Sequence, residues 1–311
     1  MRGGLRLLLC GLWFYAMAGA LARAAPMVVI VSSDVSSAYV EAADALVGEL
    51  ALGGVAKAEV QRMTPAEFAA ATPAAPTLFV ALGAQAALAL AQTAPTAPVL
   101  CALLPRSAFE RVLQVSGRKA STQFSGLLLD QPLSRQLALV RLALPDAKKL
   151  GVLLGPDSKG LAPALNGLAA TRGFKVVEST LKQGEPVFIG LRQVLVAADV
   201  LLALPDPEVY NTNSLQNILL ASFRAGVPMV AFSPAYARAG ALLALYVTPD
   251  QIGQQAGELA LGVLRGKALP GQAVSAQGFS ISVNSHVARS LGLDLDANQL
   301  STELTRIEAA P

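Results

Sequence analysis

FSGLLLDQPLSRQLALVRLALPDAKKLGVLLG, residues 124–155, carries the reading of the fold. Within it Leu133, Leu137, Val140 and Leu144 recur at intervals of 4, 3 and 4, which sets them on one face of a helix. KKLGVLLG (148–155) follows as a short apolar run with no polar alternation, the pattern of a strand buried on both faces of a parallel sheet. Ahead of both, FSGLLLDQP (124–132) connects this helix–strand unit to an earlier series, and we read it as the first crossing between two lobes.

The earlier series holds buried strands at VVIVSS (28–33), APTLFVALG (75–83) and APVLCALL (97–104), with an edge strand at AEVQRM (58–63). Val40, Ala43, Leu46 and Leu50 mark one helix and residues 84–91 a short second one. After the crossing, strands at FKVVES (174–179), DVLLALP (199–205), VPMVAF (227–232) and ALLALYVT (241–248) are interleaved with helices over 159–170, 187–197 and 213–224. Ile252, Ala256, Leu259 and Val263 form a further helical stripe that Gly266 is suited to end, and Phe279, Ile281 and Val283 alternate in a half-buried strand. One sheet of ten or more strands is less plausible than two, because single cores divide beyond roughly 250 residues. The expected fold is therefore α/β, with two doubly wound parallel-sheet lobes joined by a multi-crossing hinge. Recrossings near Tyr246-Val247 and Phe279-Ser280 assign 25–123 plus 248–278 to the first lobe and 124–247 plus 279–311 to the second. A doubly wound secreted enzyme is the rival on pattern alone.

Residues 1–24 read as a signal peptide. Arg2 and Arg6 precede an uncharged run from Leu7 to Leu21, and Ala22-Arg23-Ala24 offers small residues where a signal peptidase reads them, so the mature chain starts at Ala25. The run is shorter than the roughly 20 residues a membrane span needs. Cys10 follows Leu7-Leu8-Leu9, where a lipidation signal needs small residues, which argues against a lipoprotein. The chain has 24 Lys and Arg against 21 Asp and Glu, and three of the arginines are in the leader, so the mature chain is balanced at 21 against 21. Such a surface gives no support to nucleic-acid binding, which depends on neutralising phosphates. Cys101 alone of the two cysteines survives processing, so no intrachain disulfide forms, and its apolar setting marks it as a buried thiol.

Enzymatic chemistry has little to work with. His286 is the single histidine, in VNSHVARSLGLDL near the chain end, where a surface or helix-start role is ordinary. There is no GxSxG elbow for a triad, no GxGxxG after the first strand and no phosphate-binding GxxxxGK[ST]. One histidine and one mature cysteine leave a zinc site almost wholly to carboxylates. We expect no cofactor and no metal.

The ends of the expected strands are more telling. Ser32, Ser33 and Asp34 end the first strand; Gly83, Ala84 and Gln85 end the third; Gly155, Pro156, Asp157 and Ser158 follow the first strand of the second lobe; Asp206, Tyr210 and Asn211 follow 199–205; Ser233 and Tyr236 follow 227–232. Open α/β sheets bind ligands at these carboxyl ends, so the set is expected to line one cleft and to hold a small polar molecule. Asp206 would pair with an amino group, and Tyr210 or Tyr236 would cover an apolar part. Each has an ordinary alternative: Ser33, Asp34 and Asp157 as helix-start residues, Asp206-Pro207 as a turn.

The stretches 122–156, DVLLALPDPEVYN (199–211), GVPMVAFSPAYARAGALLALYVTPDQIGQQAGELALGVLRGKALP (226–270) and FSISVNSHVARSLGLDLD (279–296) resemble the substrate-binding proteins of uncharacterised ABC transport systems, related to receptors for tryptophan and other aromatic amino acids. The resemblance implies the type I periplasmic-binding-protein fold with a hinged cleft, and the mature chain is expected to be soluble and monomeric. It also implies delivery of ligand to an inner-membrane ABC permease driven by a cytoplasmic ATPase. The family's usual Thr or Ser in the turn matched by Leu82-Gly83-Ala84-Gln85 is absent, leaving backbone and Gln85 for a ligand carboxylate, and Leu104-Pro105 stands where many members have an acidic-Pro pair. The acidic residue after 199–205 is kept as Asp206 and the hydroxyl turn as Ser233. The same closing motion would serve a periplasmic receptor read by a membrane signalling protein, and that alternative stays open at this stage.

Overall fold

The computed structural model describes residues 27–70 and 75–309; the leader and processing site read at residues 1–24 lie outside them. The chain begins β1 (Val28–Ser32), α1 (Ser37–Leu52), β2 (Val60–Met63), α2 (Pro65–Ala70), β3 (Leu78–Leu82), α3 (Ala84–Thr93), β4 (Val99–Leu104), α4 (Arg106–Ser116) and β5 (Phe124–Leu128). It then builds α5 (Leu133–Ala143), β6 (Lys149–Leu154), α6 (Ala162–Thr171), β7 (Lys175–Thr180), α7 (Val187–Ala197), β8 (Val200–Leu202), α8 (Leu215–Arg224), β9 (Met229–Ala231), α9 (Pro234–Ala239) and β10 (Leu243–Tyr246). It ends with α10 (Pro249–Leu264), β11 (Val274–Ser275), β12 (Ser280–Val283), α11 (Ser285–Ser290) and α12 (Ala297–Ala309).

These strands make two six-stranded sheets, in the orders β11-β5-β4-β3-β1-β2 and β12-β10-β9-β8-β6-β7. Pairing is parallel except for β12, which runs antiparallel to β10. This is the two-lobed type I periplasmic-binding-protein architecture. The central strands are apolar throughout because both faces are covered. Val28 and Ile30 face Leu46 of α1 and Ile252 of α10, while Val29 and Val31 face Leu90 of α3 and Phe109 of α4. In the second lobe Val152 and Leu154 pack against Leu137 of α5 and Leu304 of α12, and Leu153 and Leu201 against Val194 of α7 and Ile218 of α8.

The chain passes between the sheets three times, at Leu129–Pro132, at Val247–Thr248 and over Ala276–Phe279. β5, which the sequence reading assigned to the start of the second lobe, is a strand of the first sheet, so the first crossing begins after Leu128 and not at Phe124. The apolar run of β5 is buried at every position, and only its hydrogen-bonding partner β4 decides its lobe. The returning α10 docks on α1 at close range. A Cβ on Gly253 would clash with the Ala42 carbonyl oxygen, and one on Gly257 would lie 2.5 Å from Glu49 Cβ. Cys101 is fully buried in β4 and burial pushes its thiol pKa far up, so it packs as an apolar residue.

Candidate functional site

At the hinge the carboxyl ends of both sheets face one cavity of about 390 Å³. The first lobe contributes Pro105 after β4 and Leu129-Asp130-Gln131 after β5; the second contributes Pro205 after β8 and Phe232-Ser233-Pro234 after β9, with Gln136 from α5. Tyr246, Val247, Thr248 and Pro249 close it along the second crossing. Its size suits a small organic molecule. A larger groove of about 640 Å³ lies between α7 and α8, but residues of the second lobe alone form it, so lobe closure cannot act on it.

Polar groups in the hinge cavity are few and held in place. Asp130 Oδ2 accepts a hydrogen bond from the Arg106 N–H (2.6 Å) at the start of α4. Burial raises the Asp130 pKa, opposed in part by that N–H and by the Arg106 charge. Gln131 is 6% exposed, its Oε1 accepts from Arg135 Nη1 (2.8 Å), and Gln136 Nε2 donates to the Gln131 carbonyl (2.8 Å). Leu103, at φ 57°, marks an irregularity where β4 shifts register against β5, and this turns Leu104-Pro105 toward the hinge.

Two side chains tie the crossings together. Arg135 on α5 is 8% exposed; it donates to Gln131 in the first crossing and to the Ala276 carbonyl (3.3 Å) in the third. Its Nε and Nη2 meet both carboxylate oxygens of Glu308 on α12 at 2.6 and 2.8 Å, and its guanidinium lies 4.7 Å from the Phe279 ring centre. Gln251, in the first turn of α10, donates to the Phe279 carbonyl (3.1 Å), binding the second crossing to the third.

Of the residues expected from the sequence, Ser233 lies in this cavity, where it also caps α9 by accepting from Ala235 N. The others divide by lobe. Ser32, Ser33, Asp34, Gly83, Ala84 and Gln85 gather at the ends of β1 and β3. There the Ser33 hydroxyl accepts from Ala86 N (2.9 Å), so it caps α3 rather than its own following helix. Gly83, at φ 85°, is required, because a Cβ there would lie 2.6 Å from Tyr39 Oη and 2.7 Å from Ser33 Oγ. Asp34 Oδ1 accepts from Val35 N and Ser36 N in its own turn.

Asp206 corrects the expectation of a ligand amino-group partner. It is 2% exposed; Oδ2 accepts from Asp157 N (3.1 Å), Ser158 N (2.9 Å) and Ser158 Oγ (2.8 Å), and Oδ1 from Glu208 N (3.0 Å). The carboxylate fastens the turn after β6 to the end of β8, and Gly155 has no Cβ because one would sit 2.5 Å from Asp206 Oδ1. Asn211 is likewise spent on its loop, accepting from Asn213 N and Ser214 N and donating to the Pro207 carbonyl, and it borders the α7–α8 groove instead. Tyr210 is buried against Phe232 with its hydroxyl unpartnered among the described residues, and Tyr236 packs on the other side of Phe232 and donates to the Tyr210 carbonyl (3.5 Å). Burial raises the pKa of both tyrosines. Asp157 bridges the lobes, its Oδ2 2.7 Å from Arg111 Nη2 of α4. His286 is exposed in the first turn of α11, beside its cap Asn284.

Asp130, Gln131, Gln136 and Thr248 were not singled out from the sequence. For Asp130, Gln131 and Thr248 the signal available was their place at the crossing itself, in LDQP and VTP, where the chain leaves a buried strand and must expose polar groups to the cleft; Gln136 stands one turn into α5 and carries no such signal.

Two lobes, three crossings and a cavity open to both define a hinged solute receptor. Residues 66–304 match the family model described as ABC transporter substrate binding protein, and the chain belongs to that family of non-catalytic binding proteins. A tyrosine-binding protein from Clostridioides difficile (strain R20291) is 26% identical over 205 residues, which are 65% of this chain; the match spans 55% of the length of that protein. The ligand-free, open structure of a substrate-binding protein with adhesive properties from Clostridium difficile superposes with a TM-score of 0.68 at 21% identity, covering 88% of this chain and 96% of that one. A Streptococcus pneumoniae ABC domain in complex with L-Trp gives 0.57 at 16% identity, covering 89% and 98%. At these identities the two structures speak for the fold.

Proposed function

We propose that this protein is the exported solute receptor of an ABC importer, and that it captures a small polar organic molecule, an amino acid or a derivative of one, at the hinge. The observation that carries this reading is the cavity of about 390 Å³ lined from both lobes and along the second crossing. A ligand there touches both halves at once, and a contact made only when the lobes approach is what shifts a two-state equilibrium. Asp130 and Gln131 supply one charged acceptor and one amide, while Pro105, Leu129, Phe232, Leu245 and Val247 supply apolar wall for a side chain. The tyrosine-binding relative supports the amino-acid class. The closed receptor then hands its ligand to an inner-membrane permease driven by a cytoplasmic ATPase, with the receptor itself released into the periplasm by its leader.

The test is purification from the periplasmic fraction without denaturation, native mass spectrometry of any retained small molecule, and small-angle scattering with and without it. The reading expects a bound amine-carboxylate compound and a smaller radius of gyration when it is present. Retention of a sugar, or a ligand that leaves the radius unchanged, would refute it.

A further inference from the structure

The lining of the hinge cavity carries one sign of charge. Among the described residues Asp130 is its single carboxylate, and no Lys, Arg or His side chain lines it. Asp130 Oδ2 accepts from the Arg106 backbone N–H, and no ion pair joins Asp130 to a cation among the described residues. Burial raises its pKa, and the Arg106 charge, acting from further off, offsets this in part. Asp130 Oδ1 and Gln136 Oε1 accept no hydrogen bond from another described residue. The buried side-chain polar atoms left unpartnered are Gln131 Nε2 and Tyr210 Oη, so these two oxygens keep accessible surface, and both of their side chains border the cavity. The orientation of the Gln136 amide is fixed by chemistry, since a carbonyl only accepts: the atom 2.8 Å from the Gln131 carbonyl oxygen must be the nitrogen, and the oxygen is the free end. Gln131 follows Asp130 in the chain, so that bond holds the amide one residue from the carboxylate.

We infer that the cavity selects its ligand by a cationic amino group, which donates to Asp130 Oδ1 and Gln136 Oε1. The inference rests on the hinge cavity being the ligand site, as proposed above, and narrows the ligand class: the amino group is required and a carboxylate is not. An ammonium brings three donors and one positive charge to two acceptors and one negative charge. It supplies the counter-ion that the carboxylate lacks, through a charge-assisted hydrogen bond roughly twice as strong as a neutral one. A ligand carboxylate meets no cation there. Its donors in the lining are neutral hydroxyls, those of Ser233 and Thr248, which already accept from Ala235 N and Gln251 N and keep a proton to give. An acid without an amino group would bring its charge toward that of Asp130, and like charges across a contact repel.

The experiment screens the twenty common L-amino acids by thermal shift. Calorimetry at neutral pH then compares the strongest binder with its decarboxylated amine, which keeps the ammonium, and with its deaminated acid, which keeps the carboxylate. Wild type should bind the amine within about tenfold of the amino acid, and the deaminated acid on the order of 100-fold more weakly or not at all. Asp130→Asn keeps an acceptor for the Arg106 N–H and removes the charge, so it should weaken the amino acid and the amine alike, on the order of 30- to 1,000-fold, without weakening the deaminated acid. The comparison of ligands on wild type needs no variant, so it decides the matter even should Asp130→Asn fold poorly. If the deaminated acid binds wild type as tightly as the amino acid, if the amine fails to bind, or if Asp130→Asn binds the amino acid as wild type does, the assignment is overturned while the receptor reading stands. If wild type binds none of the twenty, the amino-acid reading falls and takes this assignment with it.

Discussion

Asp206→Asn separates a bracing carboxylate from a ligand-binding one. The substitution keeps shape and size but leaves one oxygen where there were two. With the amide nitrogen at the Oδ1 position, Glu208 N loses its acceptor; with it at Oδ2, Asp157 N, Ser158 N and Ser158 Oγ all do, so the first arrangement prevails. One lost acceptor costs roughly 1–3 kcal/mol, and three bonds lose their charge assistance at about 0.5–1 kcal/mol each. Relief from burying a charge offsets part of this, leaving a destabilisation of about 2–4 kcal/mol. For a protein of this size the melting temperature should fall by roughly 3–7 °C. Circular dichroism melts of wild type and variant measure it, and calorimetry at 20 °C, where both are folded, should find ligand affinity within about threefold, because neither carboxylate oxygen is free to reach a ligand. A variant that melts like wild type but binds its ligand far more weakly would refute the bracing role and restore Asp206 as a ligand contact.

The Arg111–Asp157 pair joins the lobes through side chains 59% and 24% exposed, so it is worth about 0.2–1 kcal/mol; Asp157→Asn should weaken ligand binding by no more than about fivefold, and the difference should vanish in roughly 1 M salt, with the reversed pair Arg111→Asp/Asp157→Arg restoring affinity. Asp130 has a folded-state pKa raised above its unfolded value by burial, so its ionised form subtracts stability. The wild type should therefore match Asp130→Asn below about pH 3.9 and fall behind it as pH rises through the folded value, as read from urea midpoints between pH 4 and 8; equal pH slopes would contradict this. Breaking the Arg135–Glu308 pair with Glu308→Gln should cost about 2–4 kcal/mol, and the double variant with Arg135→Met should be less destabilised than the sum of the two single changes.

Periodicity and apolar runs in the sequence were enough to specify the class of fold, because strands covered on both faces and helices covered on one leave patterns that no distant contact alters. β1, β3, β6 and α7 stand where those patterns put them. α4 went unread, since RSAFERVLQVS buries only Phe109 and Val112 and most of its surface is polar or partly exposed. The absence of catalytic motifs and the balance of charge were likewise properties of the residues alone. What only the tertiary structure decided was which polar side chains remain free. Asp206, Ser33 and Asn211 sit at strand ends as expected, yet their oxygens are taken by backbone N–H groups, for Asp206 and Ser33 from segments some fifty residues away and for Asn211 from its own turn. Asp130 and Gln131 drew no attention in the sequence, and become the polar core of the cavity because three crossings converge there. A hydrogen bond is settled by position in space, and position at a hinge is set by every segment that passes through it.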